Sequence, residues 1–526
     1  MGRVTTRRAA HAATTRLRGG TDHDAVVVGG GHNGLVTAAY LARAGLRTLV
    51  LEARDIVGGT AGSETFAGAR VNICNCDHNT FRTTPVMEDL ELTANGLRYL
   101  EMEPSGTATA WSGGPVWQHH RDVGRLVDEL GATYPGEVDG FRRYLRAARP
   151  AAELILTAAT EPPTVTGLAR EAVRRRMAGV GTVMRWSRRS AAEIMRQFFT
   201  SDALRGPALV SGPMVWGVSP ETRGTGLGAL SYAMRHVGRV GRPVGGSGAL
   251  TEALAAAVVR SGGEVRTGAE VTRIRCDGTT VRGVTLADGS EIDASVVVSA
   301  CDPRRTFVEW LSAPPATAAG MISRWAGAPV AAGYESKVDA VLDAEPRLRD
   351  SDVRLSSTHT VAPSIAEMHR AAGLLPTGGV LEQPALLVNV PSIADPTVAP
   401  EGRHVFSLEV LLTPYARPGG WRGSPEPRRW LELFAERCEP GFLDSIVDWR
   451  AVTPDIYERD FHLPEGHAAS FGGGPLAALR SRDPELTRYE TAVPGLYLTG
   501  AATFPGAGIW GASGRNCATV VLGRLP

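Results

Sequence analysis

Residues 24–59 read DAVVVGGGHNGLVTAAYLARAGLRTLVLEARDIVGG and decide the fold of the chain. Valine-rich Asp24–Gly29 predicts a short buried strand. Asn33–Ala44 carries apolar residues at helical spacing and stops before Gly45, a residue typical of helix ends. Leu46–Leu51 predicts a second strand. A strand, a helix and a strand in this order indicate a βαβ unit of a parallel sheet.

The turn between the first strand and the helix has the spacing G-x-G-x-x-G, formed by Gly29, Gly31 and Gly34. The first glycine permits the tight turn, the second lets the backbone approach a pyrophosphate, and the third lets the helix lie close to the strand. The helix N-terminus offers unpaired N–H groups to phosphates. Glu52, at the end of the second strand, can accept both ribose hydroxyls. The complete set predicts a dinucleotide site, with a glycine-rich turn that binds no ligand as the alternative.

Two further glycine-rich stretches favour a flavin over a nicotinamide. Gly58 and Gly59 follow Glu52 closely, and Gly500–Gly514 precedes a C-terminal helix. A reduced flavin carries negative charge near N1 and C2=O, and a helix N-terminus stabilises that charge. The sequence therefore predicts FAD held without a covalent bond, and a covalent link through a cysteine or histidine is the alternative.

Bulk composition excludes several classes of protein. A length of 526 residues suggests two or more domains, and a net charge of +1 provides no general attraction for nucleic acid. No apolar run approaches the roughly 18–20 residues that cross a bilayer. Six cysteines do not form an extracellular disulfide framework, so the cytoplasm is the expected location. The basic residues are 55 arginines and the single Lys337, a bias typical of a GC-rich bacterial genome.

The α/β pieces of the sequence lie in three separated stretches. Helical patterns dominate between them, including Val138–Ala148, Ala151–Ala159 and Ala191–Phe199. Pro384–Val390 and His404–Leu412 predict strands of a second sheet. We therefore predict a discontinuous FAD-binding domain (21–100, 240–310 and 488–526), an inserted substrate domain (101–239 and 311–487) and a disordered leader (1–20).

Four stretches together resemble the phytoene desaturase-like (carotenoid oxidoreductase) flavoproteins. They are the glycine motif already quoted, GGSGALTEALAAAVVRSGGEV with SVVVSACDP (245–303), DPTVAPEGRHVF (395–406) and GLYLTGAATFPGAGIWGASGRN (495–516). Within that family the chain looks most like the pyridine nucleotide-disulphide oxidoreductase domain-containing group. It is not similar to the disulfide reductases, because no C-x₄-C pair follows Glu52.

The resemblance implies an α/β fold with two domains: a glutathione-reductase-like FAD-binding Rossmann fold and an inserted α+β substrate domain with a mixed sheet and helices. It also implies hydride transfer on C–C bonds of apolar, often polyunsaturated substrates, with NADPH as a further candidate reductant. The FAD contacts that it implies are Gly29, Gly31, Gly34, Glu52, Arg54, Gly58, Gly59, Thr60, Val271, Gly500, Ala501, Gly508, Gly511 and Ala512.

The chain departs from the family pattern in VNICNCDHNTF (71–81), where the flavin ring is expected. Asp77 and His78 are the acid/base candidates there, since a histidine titrates near neutral pH; capping a turn is their alternative role. C-x-C-x-H spacing does not fit a metal site, so no metal is predicted. Phe504, Trp510 and Trp216 are predicted for the substrate pocket, although Trp510 equally suits core packing.

The basic segment Arg170–Arg196 has apolar residues interleaved and is a candidate for peripheral membrane contact. A solvated helical face is the favoured interpretation, because Gly179 and Gly181 interrupt any amphipathic helix. We predict a bacterial FAD-dependent oxidoreductase of secondary metabolism that desaturates, or reduces and cyclises, an apolar polyene, polyketide-type or isoprenoid metabolite. A redox-neutral flavin isomerase or cyclase is the alternative. A flavin amine oxidase is less favoured, since Lys337 lacks a recognisable context.

Overall fold

The computed structural model of the chain describes residues 22–74, 77–467, 470–472 and 474–525, so the predicted leader, 1–20, lies outside the described residues. The strands are β1 (His23–Val28), β2 (Thr48–Leu51), β3 (Ser63–Phe66), β4 (Ala69–Asn72), β5 (Tyr99–Glu101), β6 (Thr107–Ala110), β7 (Trp117–Gln118), β8 (Gly241–Pro243), β9 (Glu264–Arg266), β10 (Val271–Cys276), β11 (Val281–Leu286), β12 (Glu291–Ser299), β13 (Leu311–Ser312), β14 (Gly333–Leu342), β15 (His359–Ala362), β16 (Leu386–Asn389), β17 (His404–Pro414), β18 (Ile446–Val452) and β19 (Leu496–Leu498).

The α-helices are α1 (His32–Arg43), α2 (Val86–Asp89), α3 (Val123–Thr133), α4 (Val138–Ala158), α5 (Val165–Arg174), α6 (Val180–Trp186), α7 (Ala191–Phe198), α8 (Asp202–Val210), α9 (Ser231–Val237), α10 (Gly248–Arg260), α11 (Ala319–Ala326), α12 (Ile365–Leu374), α13 (Glu426–Ala435), α14 (Pro454–Phe461), α15 (Pro475–Leu479), α16 (Glu485–Arg488) and α17 (Ala512–Arg524). Among the described residues, none of these helices combines the length and the apolar character that crossing a membrane requires.

The first sheet contains the predicted βαβ unit. Its strands run in the order β13-β10-β11-β12-β1-β2-β9, and β19 pairs with β12. The pairs β1–β2, β1–β12, β2–β9 and β12–β19 are parallel, whereas β10, β11 and β12 form an antiparallel meander. This parallel core confirms the predicted Rossmann-type α/β fold. Three separated parts of the chain supply its strands, and the residue boundaries of the two domains stay predictions.

The βαβ unit forms because its apolar residues are removed from water. The side chains of Val26, Val27, Leu35 and Leu41 are 0% exposed. Helices α10 and α17 pack against α1, and their apolar residues share one buried cluster with those of α1 and β1. Each fully buried Val or Leu side chain stabilises the fold by about 1.5–3 kcal/mol. This core holds β1 and α1 in place, and the glycine turn between them is left to contact a ligand.

The second sheet is mixed, in the order β18-β14-β17-β16-β15-β6-β7. The pair β15–β6 is parallel and the others are antiparallel. One face of β14 and β17 is apolar and packs in a cluster with α13. The opposite face carries buried polar side chains, among them Glu335, Lys337, Asp339 and Glu409. This polar face is turned towards the end of β4, where Lys337 Nζ donates to the carbonyl oxygen of Asn72 at 2.6 Å.

The helical region contains one departure from the sequence prediction. The segments Val138–Ala148 and Ala151–Ala159, predicted as separate helices, form the single helix α4 with Pro150 in its interior. A proline in a helix interior costs about 3 kcal/mol or more, because it lacks an N–H and contacts the preceding turn. Residues on both sides of Pro150 are buried in one apolar cluster, among them Phe141 and Ala152. Their burial offsets the cost, so the helix continues.

Candidate cofactor-binding site

A cavity opens beside the glycine turn, at the carboxyl ends of β1, β2 and β12. It is open to solvent at its mouth, and about 200 Å³ of its space can hold the centres of water-sized molecules. Parallel strands end at one edge of a sheet, so the topology itself creates this crevice. The predicted cofactor residues that line it are Gly29, Gly31, Gly34, Glu52, Arg54, Gly58, Gly59, Thr60, Val271, Gly500 and Ala501.

Each of the three glycines of the turn is suited to its position for a different steric reason. Gly29 has φ +100°, which disfavours any residue with a side chain. A Cβ on Gly34 would lie 2.1 Å from the carbonyl oxygen of Gly29, so helix α1 could not approach β1 as closely. A Cβ on Gly31 would meet nothing within 4 Å. The space beside Gly31 is therefore part of the cavity, and its backbone is open to a bound group.

Glu52 holds the shape of the turn. Its Oε2 accepts the backbone N–H of Gly30 at 2.7 Å, and its Oε1 accepts the backbone N–H of Arg54 at 3.0 Å. A carboxylate oxygen can accept further hydrogen bonds beyond one N–H, and Glu52 lines the cavity. The same side chain can thus fix the turn and receive hydroxyl groups of a ribose.

Three residues that line the cavity each keep a buried nitrogen without a hydrogen-bond partner in the described part of the chain: His32 Nε2, Arg54 Nη1 and Arg305 Nε. Buried polar atoms are normally satisfied, so such atoms indicate a missing partner. Burial lowers the pKa of His32 to about 4, so its imidazole is neutral at pH 7. Unpartnered nitrogens beside an open glycine turn fit an anionic, oxygen-rich group such as the phosphates and riboses of FAD.

The C-terminal glycine-rich segment supplies the far side of the cavity. Gly500, Ala501 and Ala502 line it, and the N–H of Gly500 donates to Ser513 Oγ in α17 at 3.1 Å. Helix α17 lies close to α1, since a Cβ on Gly514 would approach the carbonyl oxygen of Asn33 to 2.3 Å. The C-terminal helix is thereby fixed directly against the first motif.

Three predicted flavin contacts are absent from the cavity lining. Gly508 packs beside Trp510, and a Cβ on Gly511 would meet the ring of Phe81 at 2.9 Å. Ala512 is 0% exposed. The sequence shows that this segment is a glycine-rich loop before a helix, but it does not show which of its residues face the cavity and which support the helix.

The predicted substrate-pocket residues do not meet. Phe504 and Trp510 pack in a small apolar cluster with Ala159, Ala478 and Phe471. Trp216 is 39% exposed and lies outside that cluster; the adjacent Gly217 adjoins the ring of His467, which lines the cavity. None of the three lines the cavity. Trp510 thus packs against apolar neighbours, and the substrate-pocket assignment of the three residues stays a prediction.

Asp77 and His78, the predicted acid/base pair, are held in internal contacts away from the cavity lining. Asp77 forms a buried ion pair with Arg242, whose Nη2 donates to Oδ1 at 2.8 Å. The hydroxyl of Thr358 donates to Asp77 Oδ2 at 2.6 Å. His78 Nδ1 and Nε2 lie 2.7 and 2.8 Å from the hydroxyls of Tyr99 and Ser247.

The surroundings of these two residues oppose proton exchange at neutral pH. Burial lowers the pKa of His78 to about 3, so the imidazole stays neutral. Burial raises the pKa of Asp77, but the charge of Arg242 and the hydrogen bonds outweigh it, so the pKa lies below its usual value. Their geometry corresponds to the alternative, structural role.

Several lining residues were missed by the sequence analysis. Asp302 and Arg305 follow β12, and His462 and His467 follow α14. The segment SVVVSACDP gave a usable signal for Asp302, because the carboxyl end of a parallel strand meets the same crevice as the glycine turn. No comparable signal marks His462 or His467, which reach the cavity through tertiary packing alone.

Comparison with known proteins agrees with this architecture. The profile of the flavin containing amine oxidoreductase family matches residues 34–365. A mouse protein, pyridine nucleotide-disulfide oxidoreductase domain-containing protein 2, is 28% identical over 99% of this chain and 96% of its own. A component of the limonene dehydrogenase of Castellaniella defragrans is 27% identical, with 95% and 94% covered. The neurosporene-forming phytoene desaturase of Rhodobacter capsulatus is 27% identical, with 92% and 91% covered. These similarities confirm the resemblance found in the sequence.

Solved structures show the same fold at low sequence identity. A putrescine oxidase variant superposes with a TM-score of 0.62 at 16% identity, covering 96% of this chain and 98% of its own. Cyclohexylamine oxidase from Brevibacterium oxydans superposes with a TM-score of 0.56 at 16% identity, covering 96% and 99%. The predicted two-domain architecture of flavin enzymes is thus confirmed as a fold.

Proposed function

Because the chain belongs to the flavin containing amine oxidoreductase family and is an FAD-dependent oxidoreductase, we propose that it desaturates C–C bonds of an apolar metabolite: one C–H bond gives up a hydride to the flavin, and the neighbouring C–H bond loses a proton to solvent. The observation that carries this proposal is the near full-length similarity to the limonene dehydrogenase component and to phytoene desaturase, whose names both state hydrocarbon dehydrogenation. The cavity beside the glycine turn supports the cofactor half of the reaction.

The chain's own residues would bind and orient the cofactor. FAD supplies the two-electron chemistry, which no side chain provides. Gly31 would leave its backbone open to the pyrophosphate, Glu52 would receive the ribose hydroxyls, and the unpartnered nitrogens of His32 and Arg54 would bond to oxygens of the cofactor. Gly500 and its neighbours support the opposite end. Positioning is the protein's contribution, because hydride transfer requires close and fixed reacting atoms.

We further propose a substrate class, a reaction direction and a candidate reductant. A bacterial secondary metabolite of polyene, polyketide or isoprenoid type is the substrate class. Desaturation is the direction, since both named relatives are dehydrogenating enzymes. NADPH is the candidate reductant if the enzyme instead works reductively, and product formed without net flavin reduction would identify an isomerase.

Amine oxidation is the second candidate, because the solved structures with this fold include putrescine and cyclohexylamine oxidases. Lys337 is the chain's single lysine. It is 0% exposed, forms an ion pair with Asp339 and donates to the carbonyl oxygen of Asn72. These contacts already use the ammonium group, so the lysine offers no additional support for amine chemistry.

Anaerobic reduction of the FAD-loaded protein tests the proposal. We expect limonene or phytoene to bleach the visible absorbance of the flavin, since hydride removal reduces it, while putrescine leaves it unchanged. Absorbance is recorded after mixing with each compound separately and with NADPH alone. Bleaching by putrescine but by neither hydrocarbon would instead support amine oxidation and contradict the hydrocarbon assignment.

We also propose that residues 165–189 contact an anionic membrane surface. Helix α5 contains no buried residue. Val165, Val173 and Met177 are 69%, 72% and 57% exposed. The stretch carries seven arginines and one glutamate. The helical path breaks between Arg174 and Val180, where Gly179 has φ +82°, whereas Gly181, also predicted to interrupt it, lies inside α6. Exposed apolar side chains beside several cations are nevertheless the pattern of an interfacial segment. An apolar substrate stored in lipid fits such a surface.

Charge substitutions on this surface should release the protein from anionic vesicles. Val173→Glu with Met177→Glu is expected to weaken binding to phosphatidylserine-containing vesicles about tenfold or more, because burying one such side chain contributes about 1.5 kcal/mol. Co-sedimentation measures the bound fraction. Val259→Glu, at an exposed valine (58%) on α10, is the matched control. Equal binding by the control and the double variant would contradict the proposed surface.

A further inference from the structure

An ionisable cluster lies between the polar face of the second sheet and the segment that follows β4. Glu335 of β14 and Glu409 of β17 are each 4% exposed. Strand pairing places Glu409 opposite Lys337, two residues from Glu335 on the same face of the sheet. The thiol of Cys74 donates to Glu335 Oε1 at 3.3 Å. The Cys74 sulfur and an oxygen of each glutamate all lie within 4.8 Å of one another.

Glu409 is the member that indicates a ligand. The residue is 4% exposed, and its carboxylate forms no hydrogen bond or ion pair with another described residue. A carboxylate removed from water without a partner is strongly unfavourable. Glu335 adds a second carboxylate within reach of the first. A bound cation or bound protons would balance the charge of the two acids.

Nearby cations do not neutralise the two glutamates, because each of them is already paired with another acid. Lys337 forms an ion pair with Asp339, and Arg450 also bonds to Asp339 at 3.3 Å. Arg242 is paired with Asp77 at 2.8 Å. In the described residues, neither glutamate of the cluster forms an ion pair with any of these groups. The local charge therefore stays negative unless the cluster takes up a cation or protons.

We propose that Cys74, Glu335 and Glu409 bind a divalent metal ion of the Zn²⁺ type. Zn²⁺ accepts thiolate sulfur at about 2.3 Å and carboxylate oxygen at about 2.0–2.2 Å in tetrahedral geometry, which separates sulfur from oxygen by about 3.6 Å. The observed separation of 3.3 Å between Cys74 and Glu335 needs only a small adjustment. A water molecule completes four-coordination. The ion would fasten the segment after β4 to β14 and β17.

This ligand set differs from Cys74, Cys76 and His78, the C-x-C-x-H group whose spacing does not fit a metal site. His78 is not available to it, since both ring nitrogens are bonded to Tyr99 and Ser247, and Cys76 lies outside the described residues. The fold instead brings two strands of the second sheet to Cys74. Sequence separations of 261 and 335 residues from Cys74 explain why no local motif shows the site.

Metal titration of the FAD-loaded, chelator-treated protein tests the proposal. We expect one equivalent of Zn²⁺ to bind and to raise the unfolding temperature, because a ligand that binds only the folded state stabilises it. Co²⁺ should give a thiolate-to-metal charge-transfer band. Glu409→Gln should weaken binding about a hundredfold or more, since even outer partners of metal ligands contribute about 10–100-fold. Cys74→Ser should remove the charge-transfer band. Cys276→Ser, at a distant and partly exposed thiol, is the matched control.

Folding does not obscure this test. Glu409→Gln removes an unpartnered buried carboxylate, so the variant is expected to fold and to be at least as stable as the parent protein without metal. Saturable binding that disappears in both variants and persists in Cys276→Ser supports the site. Absence of saturable binding by the parent protein would overturn it, as would binding that survives either substitution. Because Zn²⁺ binding is measured directly, the result does not depend on the substrate.

Discussion

Gly31→Val is expected to abolish FAD binding while the protein without cofactor still folds. A Cβ on Gly31 meets nothing within 4 Å, so the protein itself does not resist a side chain there. The residue has φ −68° and ψ 165°, a conformation open to any L-residue. The added methyl groups would instead occupy the space beside the backbone that a pyrophosphate approaches. Overpacking costs about 1–3 kcal/mol, which corresponds to roughly a 5- to 150-fold loss of affinity, and loss of the phosphate contacts adds to it.

Fluorescence titration of the apo-protein with FAD measures the effect, and circular dichroism with thermal unfolding reports the fold. Gly131→Val is the matched control, since a Cβ on Gly131 in α3 also meets nothing within 4 Å. The control should bind FAD like the parent protein. Unchanged FAD affinity in Gly31→Val would show that the cofactor does not lie at the glycine turn.

Asp77→Asn should lower the free energy of unfolding by about 3–5 kcal/mol at pH 7, because it removes the carboxylate that is ion-paired with buried Arg242. The two side chains are 4% and 1% exposed and 2.8 Å apart. The pKa of Asp77 is held below its usual value in the folded state. A carboxyl of this kind contributes stability that is present above its unfolded pKa of about 3.9 and is lost as the pH falls through the folded pKa. The difference between parent and variant should therefore be full at pH 7 and shrink in acid below about pH 4.

Urea unfolding of both proteins at a series of pH values measures that difference. Asp288→Asn is the matched control, since Asp288 is exposed and bonds only to the nearby Ser290. It should change stability by less than about 1 kcal/mol. A fully stable Asp77→Asn protein that loses turnover would contradict the structural role and restore Asp77 as an acid/base residue.

The sequence predicts the cofactor half of the molecule well because its information is local. A glycine turn, a helix and Glu52 lie within one βαβ unit, where strand and helix periodicity and φ requirements specify the geometry directly. The structure places Gly29, Gly31 and Glu52 at the cavity as the motif requires.

The other half depends on packing that spacing does not encode. Asp77 follows the glycine motif in sequence, yet its carboxylate forms an ion pair with Arg242 and accepts a hydrogen bond from Thr358. Pro150 indicates a helix end, but α4 continues past it because apolar side chains on both sides of the proline are buried. His467 reaches the cavity, and Phe504 does not, for the same reason: tertiary contacts among distant segments decide which side chains face a crevice.

We expect this chain to hold FAD, without a covalent bond, in the cavity beside Gly29–Gly34. Titration of the apo-protein with FAD, followed by denaturation and separation of protein from small molecules, tests it most directly. Binding should saturate at one FAD per chain, and denaturation should release all of the FAD intact. A protein that binds no FAD, or one that keeps the flavin absorbance after denaturation, would contradict it.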